Sequence, residues 1–338
     1  MKMHRAAVTG VCLITAAVLV APAPASAAPA STSQPIGSTQ VLVFDARQGV
    51  SMTVPPAVAA GVIANYWTPE RLASALPAPA PKSTDTSSTP WQAGPGVQRD
   101  LAAPVPAREA AGGITPKVAF THTDGKVFFR DPVDGKNYMC SGGAVNSGKR
   151  RLVLTAGHCV HGGGGKQWMQ NWVYYPGYQN GAGPAGAFPA YQLWAQSGWF
   201  NNTDFHYDYA FAITQTNAAG SRVVDRVGGN GLTINPGRPF VTFIGYPWNF
   251  AGGEQQAFCQ GQLSRRSIFN SDQQLNCNLG GGSSGGSWLR DYNDANGLGY
   301  AVSNTSYGLN PDPQGPVYGP YYDGDTSNLY NAAENASP

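Results

Sequence analysis

Gly280-Gly281-Gly282-Ser283-Ser284-Gly285-Gly286-Ser287-Trp288 is the stretch on which the fold turns. Eight small residues in a row cannot pack a core. Glycine is used where the backbone needs φ > 0 or where another chain must come close. A serine inside such a turn is expected to be exposed, with the amide N–H groups beside it free to point at a ligand. Acyl-transfer chemistry presents a nucleophile next to an oxyanion hole in this way. The competing reading is a flexible Gly/Ser linker. Cys277 just upstream, Trp288-Leu289 immediately downstream and the shortness of the run speak against it.

Composition narrows the setting. The 338 residues include 43 Gly and 27 Pro, and only 12% are charged, a profile that suits many short strands joined by turns. The length allows one or two domains plus processing segments. A formal charge of +2, spread without any basic run, makes nucleic acid an unexpected partner. The N-terminus runs Met1-Lys2-Met3-His4-Arg5, then largely apolar from Ala6 to Ala21, then Pro22-Ala23-Pro24-Ala25-Ser26-Ala27. This reads as a secretory signal, residues 1–27, cleaved after Ala27. Its apolar core is short for a membrane span and no later stretch is long enough, so the mature chain is expected outside the cell and off the membrane.

Cleavage would remove Cys12 and leave Cys140, Cys159, Cys259 and Cys277. An even number in a secreted chain implies two disulfides with three possible connectivities. The sequence-local choice, Cys140–Cys159 with Cys259–Cys277, closes two similar loops, each contributing about 3 kcal/mol in the chain-entropy account. A zinc site would want a Cys-x-x-Cys pair, which is absent. No metal or cofactor is expected.

Residues 28–112 differ in character from the rest of the chain. Gln40-Val41-Leu42-Val43-Phe44 predicts a strand, and Thr68-Pro69-Glu70-Arg71-Leu72-Ala73 a helix start with Pro at its first position. From Pro77 to Pro106 the chain is rich in Pro, Ala, Ser and Thr and cannot bury enough surface to fold alone. The segment is read as a propeptide, released by cleavage between Arg99 and Thr115, rather than as a plain linker. From Ile114 the pattern is β. Lys117–Thr121 and Lys126–Arg130 flank Asp124-Gly125, a hairpin signal. Further strands are expected in Tyr138–Val145, Arg151–Ala156, Tyr207–Ile213, Phe240–Ile244, Gln255–Cys259 and Leu298–Ser303. The polar stretch from Gln215 to Pro236 reads as a connection. Two groups of short strands predict an all-β domain over 113–338, built as two antiparallel barrels at about 115–215 and 238–338. Thr326–Ala333 reads as one or two closing helical turns.

A nucleophilic serine needs a base, and the base an orienting carboxylate. The histidines are His4, His122, His158, His161 and His206, and none follows Ser284. Gly282-Ser283-Ser284-Gly285-Gly286 satisfies Gly-x-Ser-x-Gly, but an α/β-hydrolase places its histidine after the serine. That fold is therefore excluded, and a subtilisin order would need long helices. The order His, Asp, Ser remains. His158 ends the apolar run Leu154-Thr155-Ala156-Gly157-His158-Cys159, and Asp208 opens Asp208-Tyr209-Ala210-Phe211-Ala212. Asp204 is the rival acid, placed behind Asp208 because the apolar strand starts directly after Asp208. His161, in His161-Gly162-Gly163-Gly164, reads as a surface loop residue, and Ser283 as a support of the turn.

Thr-Ala-Gly-His-Cys, Asp-Tyr-Ala and Gly-Gly-Ser-Ser-Gly-Gly resemble the three signatures of trypsin-like (chymotrypsin-fold) serine endopeptidases. Gly245-Tyr246-Pro247 is similar to the secreted bacterial branch that includes glutamyl endopeptidases. The resemblance runs from about Thr115 to the C-terminus. It implies Ser284 as nucleophile, His158 as general base then acid, Asp208 as orienter, and the N–H groups of Gly282 and Ser284 as oxyanion hole. It also implies that Cys140–Cys159 tethers the His158 turn. Ser283 stands where the family carries an aspartate, so activation through a freed N-terminus is not expected, and control would fall to the propeptide as folding aid or inhibitor. The resemblance puts Asn278, Leu279, Val302 and Ser303 around the primary specificity pocket. None carries charge, so uncharged, medium to large apolar P1 residues of protein or peptide substrates are expected. The chain is expected to act as a monomer. The rival function is a catalytically silent homologue serving as an extracellular binding module.

Overall fold

The computed structural model describes Met1 and residues 33–79, 91–94, 96–108, 120–181, 183–308 and 315–336. The signal read over 1–27 lies outside the described residues apart from Met1, and so do 80–90 and most of the expected Lys117–Thr121 strand. Residues from Ser33 to the C-terminus form one compact unit.

The segment before the β domain is ordered against it. It contains β1 (Ile36–Gln40), the hairpin β2 (Val43–Asp45) and β3 (Val50–Met52), and helices α1 (Pro56–Tyr66) and α2 (Pro69–Ala73). Two short strands come next, β4 (Leu76–Pro77) and β5 (Arg99–Ala102). Thr68 caps α2, its hydroxyl accepting from the Arg71 N–H at 3.4 Å, and Pro69 occupies the first turn where its missing N–H costs nothing. The single strand expected at 40–44 is divided between β1 and β2.

The first barrel comprises β6 (Asp124–Arg130), β7 (Asn137–Val145), β8 (Leu152–Thr155), β9 (Gln170–Pro176), β10 (Phe188–Gln196) and β11 (Ala210–Thr214). Pairing runs β10–β11–β8–β7–β6–β9 and returns to β10 at Phe188 and Pro189, which closes the ring, while Gln192–Gln196 of β10 pair with β1. Short helices α3 (Ser197–Asn202) and α4 (Val223–Val227) flank it. The second half holds β12 (Gly231–Ile234), β13 (Phe240–Gly245), β14 (Ala257–Gln262), β15 (Ser264–Ser267) and β16 (Asn270–Leu275), then β17 (Ser287–Asn293), β18 (Leu298–Asn304) and β19 (Val317–Gly319). Helix α5 (Gly324–Asn335) closes the chain over twelve residues, longer than the expected turn or two, because Asp323 and Thr326 form a capping box at its start. The fold is the expected all-β double barrel of chymotrypsin type.

Two local expectations change. Asp124-Gly125 is not a turn: both residues lie inside β6, opposite Gly143 and Gly142. The turn between β6 and β7 is made by Asp131–Lys136, closed by Asp131 N–H to Lys136 O at 2.9 Å. The stretch 215–236 is more than a connection, since it contributes α4 and β12, the latter parallel to β18.

Asp124 is held in the strand by its own buried partners. Its carboxylate accepts from Asn230 Nδ2 at 3.2 Å and from the Thr123 hydroxyl at 3.3 Å. Burial nevertheless raises its pKa to about 6, against the lowering effect of Ser287, Asn230 and Thr123. A raised carboxyl pKa means the folded state holds the proton more tightly than the unfolded one. The resulting stability is full below about pH 4 and is lost as pH rises through about 6, roughly 3 kcal/mol in all. Asp124→Asn should therefore gain stability relative to the parent between about pH 4 and about pH 7, read by denaturant unfolding at both. The same difference at the two pH values would contradict this account.

Candidate active site

The apolar strand β8 delivers His158 into the one-turn 3-10 helix Gly157–Cys159, where Val160 and His161 N–H groups close back on Gly157 O. Asp208 comes after a second such turn, Phe205–Tyr207, and leads into β11, which pairs with β8. His158 Nδ1 and Asp208 Oδ2 are 2.8 Å apart, and the His158 backbone N–H donates to Oδ1 at 2.7 Å. Asp204, the rival carboxylate, instead caps its own turn by accepting from the His206 N–H at 3.1 Å. Asp208 is wholly buried, and a buried carboxylate must be satisfied. Two residues that sequence reasoning missed hold Asp208, one at its carboxylate and one at its main chain. The Ser306 hydroxyl donates to Oδ2 at 2.5 Å, and Asn304 Nδ2 donates to the Asp208 carbonyl at 3.1 Å. Their signal was the small polar run Asn304-Thr305-Ser306 at the end of an apolar strand.

The serine turn is held from both barrels. Ser141 N–H donates to Ser284 O at 2.7 Å, and the Ser141 hydroxyl to Gly282 O at 2.8 Å. Gly285 N–H donates to Thr305 O at 2.8 Å. The Ser283 hydroxyl donates to Gly280 O at 2.7 Å, the turn-supporting role expected of it. Cys140–Cys159 and Cys259–Cys277 are both bridged, in the sequence-local pattern. The first ties the His158 turn to β7 beside Ser284. Gly282 and Gly285 are required by shape. Their φ values are +89° and +79°. A β-carbon at Gly282 would lie 2.5 Å from Met139 Cε and 2.7 Å from Tyr246 O, and one at Gly285 would strike Thr155 Oγ1, Ser141 O and the Ala156 nitrogen.

Ser284 is buried, not exposed as expected, because Ser141, Thr155 and the Cys140–Cys159 bridge pack around its loop. Its Oγ and His158 Nε2 are both buried without a hydrogen-bond partner among the described residues. The N–H groups of Gly282 and Ser284 likewise make no hydrogen bond among the described residues. Buried polar groups are costly to leave unsatisfied. His161 is buried rather than on the surface. Its Nδ1 accepts from Gly163 N–H at 3.0 Å, Trp168 meets its ring edge-on, and burial lowers its pKa to about 4.

The residues read as pocket-lining divide. Asn278 is exposed and accepts from Asn249 Nδ2, whose Oδ1 in turn takes the Gly280 N–H at 2.8 Å. Leu279 and Val302 are buried in the apolar cluster of the second half with Trp288 and Phe243. The Ser303 hydroxyl is turned to Pro320 O at 2.8 Å. The contacts to Asp208 come from Asn304, at the end of this strand, and from Ser306 just beyond it.

A double β-barrel whose junction holds a histidine, a buried carboxylate and a glycine-bound serine defines a chymotrypsin-fold serine protease. Solved structures bear on this directly. The thermostable serine protease AL20 from an extremophilic microorganism is 32% identical, with a TM-score of 0.59 over 64% of this chain and 99% of that one. The protease Anisep from Arthrobacter nicotinovorans is 33% identical, with a TM-score of 0.59 over 66% of this chain and 100% of that one. A Glu endopeptidase at 18% identity shares the fold, with a TM-score of 0.50 over 70% of this chain and 98% of that one. No protein-family profile and no curated sequence matches. The chain belongs to the bacterial trypsin-like serine proteases of chymotrypsin fold, and it is a serine-type endopeptidase.

The glycine requirement is testable apart from activity. Gly285→Ala combines a left-handed φ with backbone collisions and should cost about 2–4 kcal/mol. Gly165→Ala has a similar φ of +73° but open space, and should cost about 1 kcal/mol. Denaturant unfolding of the two variants checks the difference; equal losses would remove the steric argument.

Proposed function

We propose that this protein is a secreted endopeptidase that cleaves peptide bonds through an acyl-enzyme on Ser284, with His158 as base then acid and Asp208 as orienter. One observation carries the reading. His158 Nδ1 is engaged by Asp208, while Nε2 and the Ser284 hydroxyl are both buried with no hydrogen-bond partner among the described residues. In the reaction, Ser284 Oγ attacks the scissile carbonyl carbon and Nε2 takes the hydroxyl proton. The carbonyl oxygen becomes an oxyanion that the Gly282 and Ser284 N–H groups receive. Collapse breaks the C–N bond, the amine leaves with the proton from His158, and water repeats the sequence to free the acid. Asp208 keeps Nδ1 protonated and stabilises the imidazolium, and Ser306 holds Asp208 in place.

The P1 side chain is proposed to be uncharged and medium to large. Asn278, Leu279, Val302 and Ser303 bring no charge, and a buried unpaired charge on the substrate would be costly. Residues 1–27 are proposed as the signal, in keeping with two disulfides, which persist outside the cytoplasm. Residues 28–112 are proposed as a propeptide that aids folding or blocks the cleft. Support for blockage comes from β4, which pairs parallel to Tyr138–Met139; a β-carbon at Gly281 would lie 3.0 Å from that of Pro77. The two close relatives match about two thirds of this chain and nearly all of themselves, a share that 113–338 would fill.

Labelling with a serine-directed phosphonate should mark Ser284 and should require His158. Ser284→Ala, His158→Ala and Asp208→Asn should each lower peptide hydrolysis by about 10³-fold or more without unfolding the protein, and the losses should not add. Ser306→Ala should lower kcat about tenfold with KM little changed, since it removes a charge-assisted hydrogen bond from the orienter. Loss in Asp204→Asn with near-full activity in Asp208→Asn would overturn the assignment. Dominant cleavage after Glu, Lys or Arg in a peptide library would overturn the P1 reading.

A further inference from the structure

Beside the triad stands a second histidine–carboxylate pair that the mechanism does not use. His206 lies two residues before Asp208, and its Nδ1 is 2.7 Å from Asp272 Oδ1. Asp272 is wholly buried, and its other oxygen accepts from the Tyr307 hydroxyl. Arg266 Nη1 donates to that same hydroxyl at 3.0 Å, and the Arg266 guanidinium lies over the Tyr307 and Tyr318 rings. Tyr307 directly follows Ser306, which holds Asp208. The imidazole plane is thus fixed by a buried carboxylate of β16, on a turn that leads directly to Asp208.

One face of that imidazole is covered by an indole. Trp91 stacks on His206 with centroids 4.1 Å apart and planes 11° from parallel. Its main chain is bound as well: Ser271 N–H donates to Trp91 O at 3.2 Å, and Ala93 N–H donates to Ser271 Oγ at 3.1 Å. Main-chain hydrogen bonds to a strand with one side chain in a fixed seat is how an extended peptide is recognised. The occupant, however, belongs to the segment that precedes the protease domain.

We infer that His206, aligned by Asp272, is the floor of a subsite that selects an aromatic side chain of the peptide substrate, and that Trp91 occupies this seat until the N-terminal segment is removed. This rests on the peptide-cleaving reading above. Structural histidines also pair with buried carboxylates. What separates the two roles is that the stacked partner is a residue the mature enzyme would have lost.

The full chain, once its N-terminal segment has been cleaved and removed, is assayed on peptides in which Trp, Phe or Ala is scanned through the positions on both sides of the scissile bond. At one fixed position Trp or Phe should exceed Ala in kcat/KM by about tenfold, mostly through KM, the size of an aromatic stack. His206→Ala should collapse this ratio towards one, and His206→Phe should keep most of it. A flat profile, or a His206→Ala variant that loses kcat on every peptide and keeps the preference, overturns the inference. A second measurement does not depend on hydrolysis. In full-length Trp91→Ala, N-acetyltryptophanamide should shift the NMR signals of the His206 ring saturably, and no shift overturns the inference. Failure of the parent reading looks different: no peptide is cleaved, yet the ring signal still titrates.

Discussion

The carboxylate of Asp208 is the constraint around which the two barrels meet. An unpaired carboxylate in that position would cost several kcal/mol, so donors must converge on it. They come from the His158 backbone and ring, at the end of β8, and from Ser306, just beyond β18. One charge therefore pulls a strand end of the first barrel and a strand end of the second to the same point. Gly157 allows the approach, since a β-carbon there would sit 3.0 Å from Asp208 Oδ1 and closer still to the Trp199 ring. Charge-assisted bonds of this kind are short and directional, which fixes the imidazole plane as well as its tautomer.

The serine turn is fixed by a different kind of force. Its backbone has left-handed glycines at 282 and 285, and without outside support a loop of eight small residues would be an ensemble. Ser141 supplies that support. Its N–H and hydroxyl grip the two carbonyls on either side of Ser283, while Tyr246 N–H donates back to the same hydroxyl at 2.8 Å. These bonds take up carbonyls of the turn, while the N–H groups of Gly282 and Ser284 make no hydrogen bond among the described residues. The disulfide at Cys140 sits next to Ser141, so the same short piece of β7 restrains both the histidine turn and the serine turn.

Much of this was readable in the chain because the relevant signals are local. Thr155-Ala156-Gly157-His158-Cys159 and the glycine-rich run carry their conformations in their own residue types, and the alternating strands carry the barrels. What was not readable depended on partners far away in sequence. Asp124-Gly125 has the letters of a turn, yet buried donors from Thr123 and Asn230 keep Asp124 in a strand. His161 sits among glycines, the mark of a surface loop, but Trp168 and Trp199 fold over it. Ser306 and Asn304 matter only because β18 ends where Asp208 is buried. In each case a long-range contact outweighed a correct local preference.

The N-terminal segment obeys the same logic. Its Pro- and Ala-rich composition cannot sustain a core, yet β1 extends the first barrel at β10 and β5 extends the second-half sheet at β12. Val43, Ile63 and Trp67 join Phe128, Trp172 and Tyr174 in one apolar cluster. The segment borrows its order from the surface it covers, so folding and docking are a single event for it. Attachment is spread over two sheet edges, a shared cluster, Pro77 at the serine turn and Trp91 at His206. Cutting the chain once would break none of these contacts; it would only raise the entropy gained when they separate. The cleaved segment should therefore dissociate in a separate, slower step than the cut itself, governed by these contacts and not by the covalent link.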